Sequence, residues 1–119
     1  MSGNLTECRN VIQEEIITEL KEILAEEFPL LVSTYLEDAN ARITRLQSAI
    51  SASDAANIRV EAHSLKGASS NLGVSGLAEL CSRLEDCGAN EELDGVDSLF
   101  SQIQTEFTAA EGCLKQHLN

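Results

Sequence analysis

Leu93, Val96, Phe100, Ile103, Phe107, Ala110 and Leu114 recur at alternating steps of three and four residues. On an α-helix that rhythm lays every one of them along a single seam, and such a seam is stable only against other helices. The same rhythm runs through Leu31, Tyr35, Leu36, Ala39, Ile43, Leu46 and Ile50, and again through Leu77, Leu80, Cys81, Leu84 and Cys87. The apolar material is almost wholly aliphatic: there is no tryptophan, and the aromatic residues are Phe28, Tyr35, Phe100 and Phe107. A β-sandwich would show more aromatic and β-branched runs.

Punctuation between the seams sets the element boundaries. Asn10 and Gln13 have the spacing of a capping box, after which Ile12, Ile16, Leu20, Leu24 and Phe28 follow at four-residue steps. Pro29, the single proline, ends that helix and suits the first turn of the next, expected over Pro29–Ile50. Ser51 or Ser53 offers a cap for a third helix reaching about Asn71. Gly73 can take the left-handed stop conformation, Ser75 is placed to cap a fourth helix, and Gly88-Ala89-Asn90 closes it. The expectation is all-α: an up-and-down four-helix bundle with an additional N-terminal helix, residues 1–119 forming one domain.

Charge narrows the partners. A formal net charge of −12 repels phosphate backbones and anionic lipid, so neither nucleic acid nor a membrane surface is expected. No apolar run approaches the ~20 residues of a membrane span, and the start of the sequence lacks a signal-peptide core. The chain is therefore expected in the cytoplasm, as a monomer. There the four scattered cysteines, Cys8, Cys81, Cys87 and Cys113, read as free thiols in the core. Their spacing suits no metal, and none is expected. The sequon Asn4-Leu5-Thr6 carries no meaning without secretion.

The third helix holds the one basic cluster on this acidic chain. At 100° per residue, Arg59, His63, Lys66, Gly67 and Ser70 share a face, while Ala55, Ile58, Ala62, Leu65, Ser69 and Leu72 form the core stripe. Gly67 lies one turn after His63, where glycine costs a helix about 1 kcal/mol relative to alanine. Close approach of another molecule is the usual reason for accepting that cost. An imidazole, an ammonium and an unobstructed approach favour an anion, and a phosphoryl group fits.

Ala62-His63-Ser64-Leu65-Lys66-Gly67, with Leu72-Gly73 following, resembles the A-H-x-L-K-G-x-x-x-x-L-G signature of histidine-containing phosphotransfer (HPt) domains. Leu77 to Glu85 resembles the family's next helix, and Phe28 to Ile50 the helix before the site. The resemblance implies a freestanding carrier that relays a phosphoryl group between receiver-domain aspartates of response regulators, a hybrid sensor kinase being one source of such a domain. His63 would be the phosphoacceptor through Nε2, Lys66 would neutralise phosphoryl charge, and Gly67 would leave room for the partner. Glu85 would accept from Nδ1–H and fix the tautomer, with Arg59, Ser64 and Ser70 toward the partner. The resemblance implies no cofactor of its own, the Mg²⁺ belonging to the receiver.

The chain lacks a Gly-rich nucleotide loop and a Walker lysine, so it reads as a carrier rather than a kinase. Ile17 and Leu20 are candidates for an apolar docking surface, and His117 reads as a frayed end. A helical interaction module without phosphotransfer, and a metal- or haem-binding bundle, are the rival classes.

Overall fold

The periodicities resolve into five helices in a computed structural model that describes residues 8–118. They are α1 (Glu14–Leu24), α2 (Phe28–Ser51), α3 (Ala55–Asn71), α4 (Ser75–Ala89) and α5 (Val96–Gln116), with short 3₁₀ turns at Cys8–Asn10 and Ala25–Glu27. Helices α2 to α5 form the up-and-down bundle, and α1 is the additional N-terminal helix. The sequon at residues 4–6 lies outside the described residues. Among the described residues no helix is long and apolar enough to cross a membrane.

Each junction has a local cause. Helix α2 starts at Phe28 with Pro29 in its first turn, one residue earlier than the expected start. Asp54, rather than either serine, caps α3 by accepting from Asn57 N at 3.2 Å. Gly73 has φ +79° and closes α3 in the left-handed conformation expected of it; Val74 N then donates to Ser69 O at 2.8 Å. Val74 occupies the cap position of α4, so Ser75 is the first helical residue rather than the cap.

Three expectations are corrected at the N-terminal end. The first helix begins at Glu14, not near Asn10, because Gln13 N is drawn to Gly73 O at 2.8 Å, and Gln13 makes no side-chain cap. Its buried face is turned by one residue: Ile17 is fully buried, whereas Ile16 packs half-buried against the Gly73 turn. Ile17 is therefore core and not docking surface. The helix also ends before Phe28, where Ala25 takes φ +50° and the chain tightens into 3₁₀.

Two of the four expected free thiols are joined. The turn at Cys8 lies against α5, which brings the Cys8 and Cys113 Cα atoms to 5.8 Å and joins them in a disulfide. Cys81 and Cys87 remain thiols. Sequence separation concealed the pair, because its two members lie 105 residues apart.

The core runs the length of the bundle through Val32, Leu46, Ile58, Leu65, Leu77, Leu84, Ile103 and Leu114, all fully buried. Burial of such side chains stabilises by roughly 1.5–3 kcal/mol each. Between α3 and α4 the packing is closest at Gly88. A Cβ there would lie 2.8 Å from both Ala55 O and Arg59 N, so only glycine lets the two backbones meet. Gly88 is thus an interior packing residue of α4, with the helix stop one residue later.

Candidate functional site

Backbone contact at Gly88 sets the register of the site. One turn back along α4 stands Glu85, and one turn on along α3, running antiparallel, stands His63. Glu85 reaches across the helix pair with both carboxylate oxygens engaged. Oε2 accepts from His63 Nδ1 at 2.8 Å, and Oε1 takes the Lys66 ammonium at 2.7 Å. The three side chains form one bridged unit from two helices.

Exposure within the unit is graded. The His63 side chain is 67% exposed, Lys66 32% and Glu85 18%. The acid therefore sits at the base, with the imidazole standing outward. Lys66, and secondarily His63, hold the Glu85 carboxyl below the usual carboxylate range against the opposing effect of its partial burial. An ionised carboxylate can only accept, so Nδ1 carries the proton in neutral His63. The Nε2 lone pair is then left pointing away from Glu85.

Gly67 meets nothing: a Cβ built there finds no atom within 4 Å. No internal contact requires glycine at this position, unlike Gly88. Arg59 and Ser70 are exposed on the His63 face. Ser64 lies about 100° around the helix from His63, on the strip that carries Ala68 one turn later, and is half-buried. The structure thus brings His63, Lys66 and Glu85 into contact, places Arg59 and Ser70 alongside, and sets Ser64 apart from the ring.

On that further side lies an apolar groove of about 540 Å³, lined by Leu20 and Leu24 of α1, Leu31 and Tyr35 of α2, and Ala68 and Leu72 of α3. Its floor is fixed by a buried hydrogen bond of 2.7 Å between the Tyr35 and Ser69 hydroxyls. Burial pushes the Tyr35 phenol well above its usual range, so it stays protonated. Ser69 is the one polar residue wholly inside the described core. Periodicity placed Ser69 on the core stripe but gave no sign of its partner, which comes from 34 residues away.

Sequence reasoning missed Gly88 as a positioning residue, although a glycine three residues after Glu85 on a packed helix was a usable signal. It also misjudged His117. That side chain is 14% exposed, and its Nε2 lies 2.8 Å from Glu14 Oε1 at the start of α1. The last turn of α5 is packed against α1 there, so the histidine is held rather than frayed.

Comparison with known proteins identifies the family and the fold. Residues 30–113 match the Hpt domain family. The chain is 35% identical over 72 residues to multistep phosphorelay regulator 1 of Schizosaccharomyces pombe, a stretch that is 60% of this chain and 24% of that protein. The chain therefore spans about a quarter of the length of that curated relative. Among solved structures, histidine-containing phosphotransfer protein B of Pseudomonas aeruginosa superposes with a TM-score of 0.86 at 34% identity, over 89% of this chain and 92% of that one. A histidine-containing phosphotransfer protein from maize shares the fold, with a TM-score of 0.83 at 18% identity over 97% and 96% of the two chains.

Proposed function

Since the chain belongs to the Hpt domain family, we propose that it carries a phosphoryl group on Nε2 of His63 between receiver-domain aspartates. The observation that carries this reading is the shared Glu85 carboxylate, which ties down Nδ1 and the Lys66 ammonium while Nε2 faces outward. Neutral His63 attacks the phosphorus of an aspartyl phosphate in line. The N–P bond forms as the P–O bond to the aspartate breaks, and the aspartate leaves as a carboxylate. The imidazole becomes cationic, and Glu85 stabilises that charge through Nδ1–H. Lys66 sits where it can turn from Glu85 to the phosphoryl oxygens. The return step passes the group to a second receiver by the same geometry.

Little covalent chemistry falls to the carrier, because phosphoryl transfer depends mainly on positioning and charge stabilisation. The receiver supplies its own Mg²⁺. The Leu20–Leu24–Leu31 groove offers an apolar landing surface beside the open Gly67 turn, with Ser64 between groove and ring. Arg59 and Ser70 extend the same surface on the other side of His63. The experiment is incubation with a phosphorylated receiver domain. Acid-labile, alkali-stable label mapping to residue 63 is the expected result. No uptake from any of a broad set of receivers, with the chain folded, would overturn the reading.

A further inference from the structure

We infer that Cys8 and Cys113 are a redox-modification site, a disulfide that a dithiol reductant opens, and whose opening loosens the N-terminal segment from the α3–α4 turn. The two cysteines line a surface cleft of about 380 Å³ with Val11, Thr108, Ala109 and Gly112. Gly112 has open space where its Cβ would stand, so the cleft is not filled from that position, while the two cysteines lie buried at its base, 2% and 6% exposed. The remaining cysteines lie elsewhere. Cys81 is fully buried, and burial pushes its thiol up to about 12, which keeps it from acting as a thiolate.

The bond also anchors a run of backbone. The Cys8 carbonyl accepts from Val11 N and Ile12 N, each at 3.0 Å. Val11 O in turn accepts from Gly76 N at 3.3 Å, and Gln13 N donates to Gly73 O at 2.8 Å. Ile16 lies against Gly73, where a Cβ would be 3.1 Å away. A short run of backbone therefore connects the disulfide to the turn between the histidine helix and the glutamate helix. It continues into α1, which supplies Leu20 and Leu24 to the apolar groove. When the bond opens, the segment is still retained by buried Val11 and Ile12 and by the Glu14–His117 pair. Loosening rather than release is the consequence.

A thiolate of the dithiol attacks Sγ of Cys113, the more exposed of the two at 6% against 2%. The Cys8–Cys113 bond breaks, Cys8 leaves as a thiolate and takes up a proton, and a mixed disulfide remains on Cys113. The reductant's second thiol resolves it, freeing Cys113 as a thiol and leaving the reductant as its own disulfide. Two electrons pass in all, and an oxidised dithiol reverses the process.

The test uses the wild-type chain equilibrated across a series of reduced and oxidised dithiothreitol mixtures, then alkylated and peptide-mapped. Cys8 and Cys113 should gain alkylation together, in one two-electron transition. Amide hydrogen exchange at Gln13 and Gly76 should quicken about tenfold on reduction, with Leu46 on α2 unchanged. The Cys8→Ser variant should match the reduced wild type and ignore the redox buffer. Alkylation of both cysteines in fully oxidising buffer would overturn the inference, as would equal exchange at Gln13 and Gly76 in the two forms. None of these readouts depends on phosphoryl transfer, so the site stands or falls apart from the function of His63.

Discussion

The molecule has two histidines, and each holds a glutamate at 2.8 Å. At the His63 end the bond is made through Nδ1, the side chain is 67% exposed and a lysine shares the carboxylate. At the His117 end the bond is made through Nε2 and the side chain is 14% exposed. Pairing with a carboxylate therefore does not by itself distinguish the two imidazoles. What distinguishes the first is that the paired nitrogen is the inner one, so the outer nitrogen keeps its lone pair and an open path to it. The second pair spends its outer nitrogen on joining α5 to α1.

Removing each ring in turn gives the largest expected contrast. His63→Gln should reduce label uptake from a phosphorylated receiver by more than about 10³-fold, since the other imidazole, His117, is 14% exposed and has its Nε2 on Glu14. His117→Gln should stay within about twofold of wild type, because its loss touches only a helix contact. Comparable losses in both variants, measured as initial transfer rates on folded protein, would erase the distinction between the two ends.

The carboxylates come next. Glu85→Ala removes the tautomer constraint and leaves Lys66 without its partner, and the transfer rate should fall by about 10- to 100-fold. Glu85→Gln can still accept from Nδ1–H through its amide oxygen but cannot balance the imidazolium charge, so its loss should be smaller. Glu14→Gln should leave the transfer rate where it was. An unaffected rate in Glu85→Ala would show that the bridge seen at rest plays no part in the reaction.

The open approach can be tested by filling it. Gly67→Leu places a side chain where no atom lies within 4 Å of the Cβ, so the fold should gain up to about 1 kcal/mol from better helix propensity. Transfer should nonetheless drop about tenfold, as the added bulk meets the docking partner rather than the chain itself. Gly88→Ala is the control of opposite sign. Its Cβ would press on Arg59 N and Ala55 O at 2.8 Å, costing about 1–3 kcal/mol in denaturant titration.

The bundle and the exposed basic face that carries His63 were legible because both rest on local pattern. Apolar steps of three and four fix helices, and a basic face with a misplaced glycine marks a surface made for something else. The Glu85 contact was legible only through family resemblance, and its second oxygen, on Lys66, was not legible at all. What escaped were relations across the fold. Cys8 meets Cys113, His117 meets Glu14, and Tyr35 meets Ser69 because helix docking brings remote positions together. No spacing rule encodes such meetings. The misplaced face of α1 has the same origin: Gln13 and Ile16 answer to Gly73, so periodicity alone set the helix one residue out of phase.

The smallest expected effect concerns pH and separates the bridge from ordinary surface charge. Glu85 has its folded pKa lowered from 4.5, chiefly by Lys66. Such a group adds stability that is fully present above its unfolded value and is lost as pH falls through the folded one. Wild type should therefore be more stable than Glu85→Gln at pH 7, with the gap closing progressively below about pH 4.5. Over the same acid range the His63 Nδ1 nitrogen resonance should lose the signature of a bond to a carboxylate. If the stability gap persists unchanged to the most acid pH at which the protein stays folded, the contribution of Glu85 is packing, and the His63 end owes its order to the Gly88 contact instead.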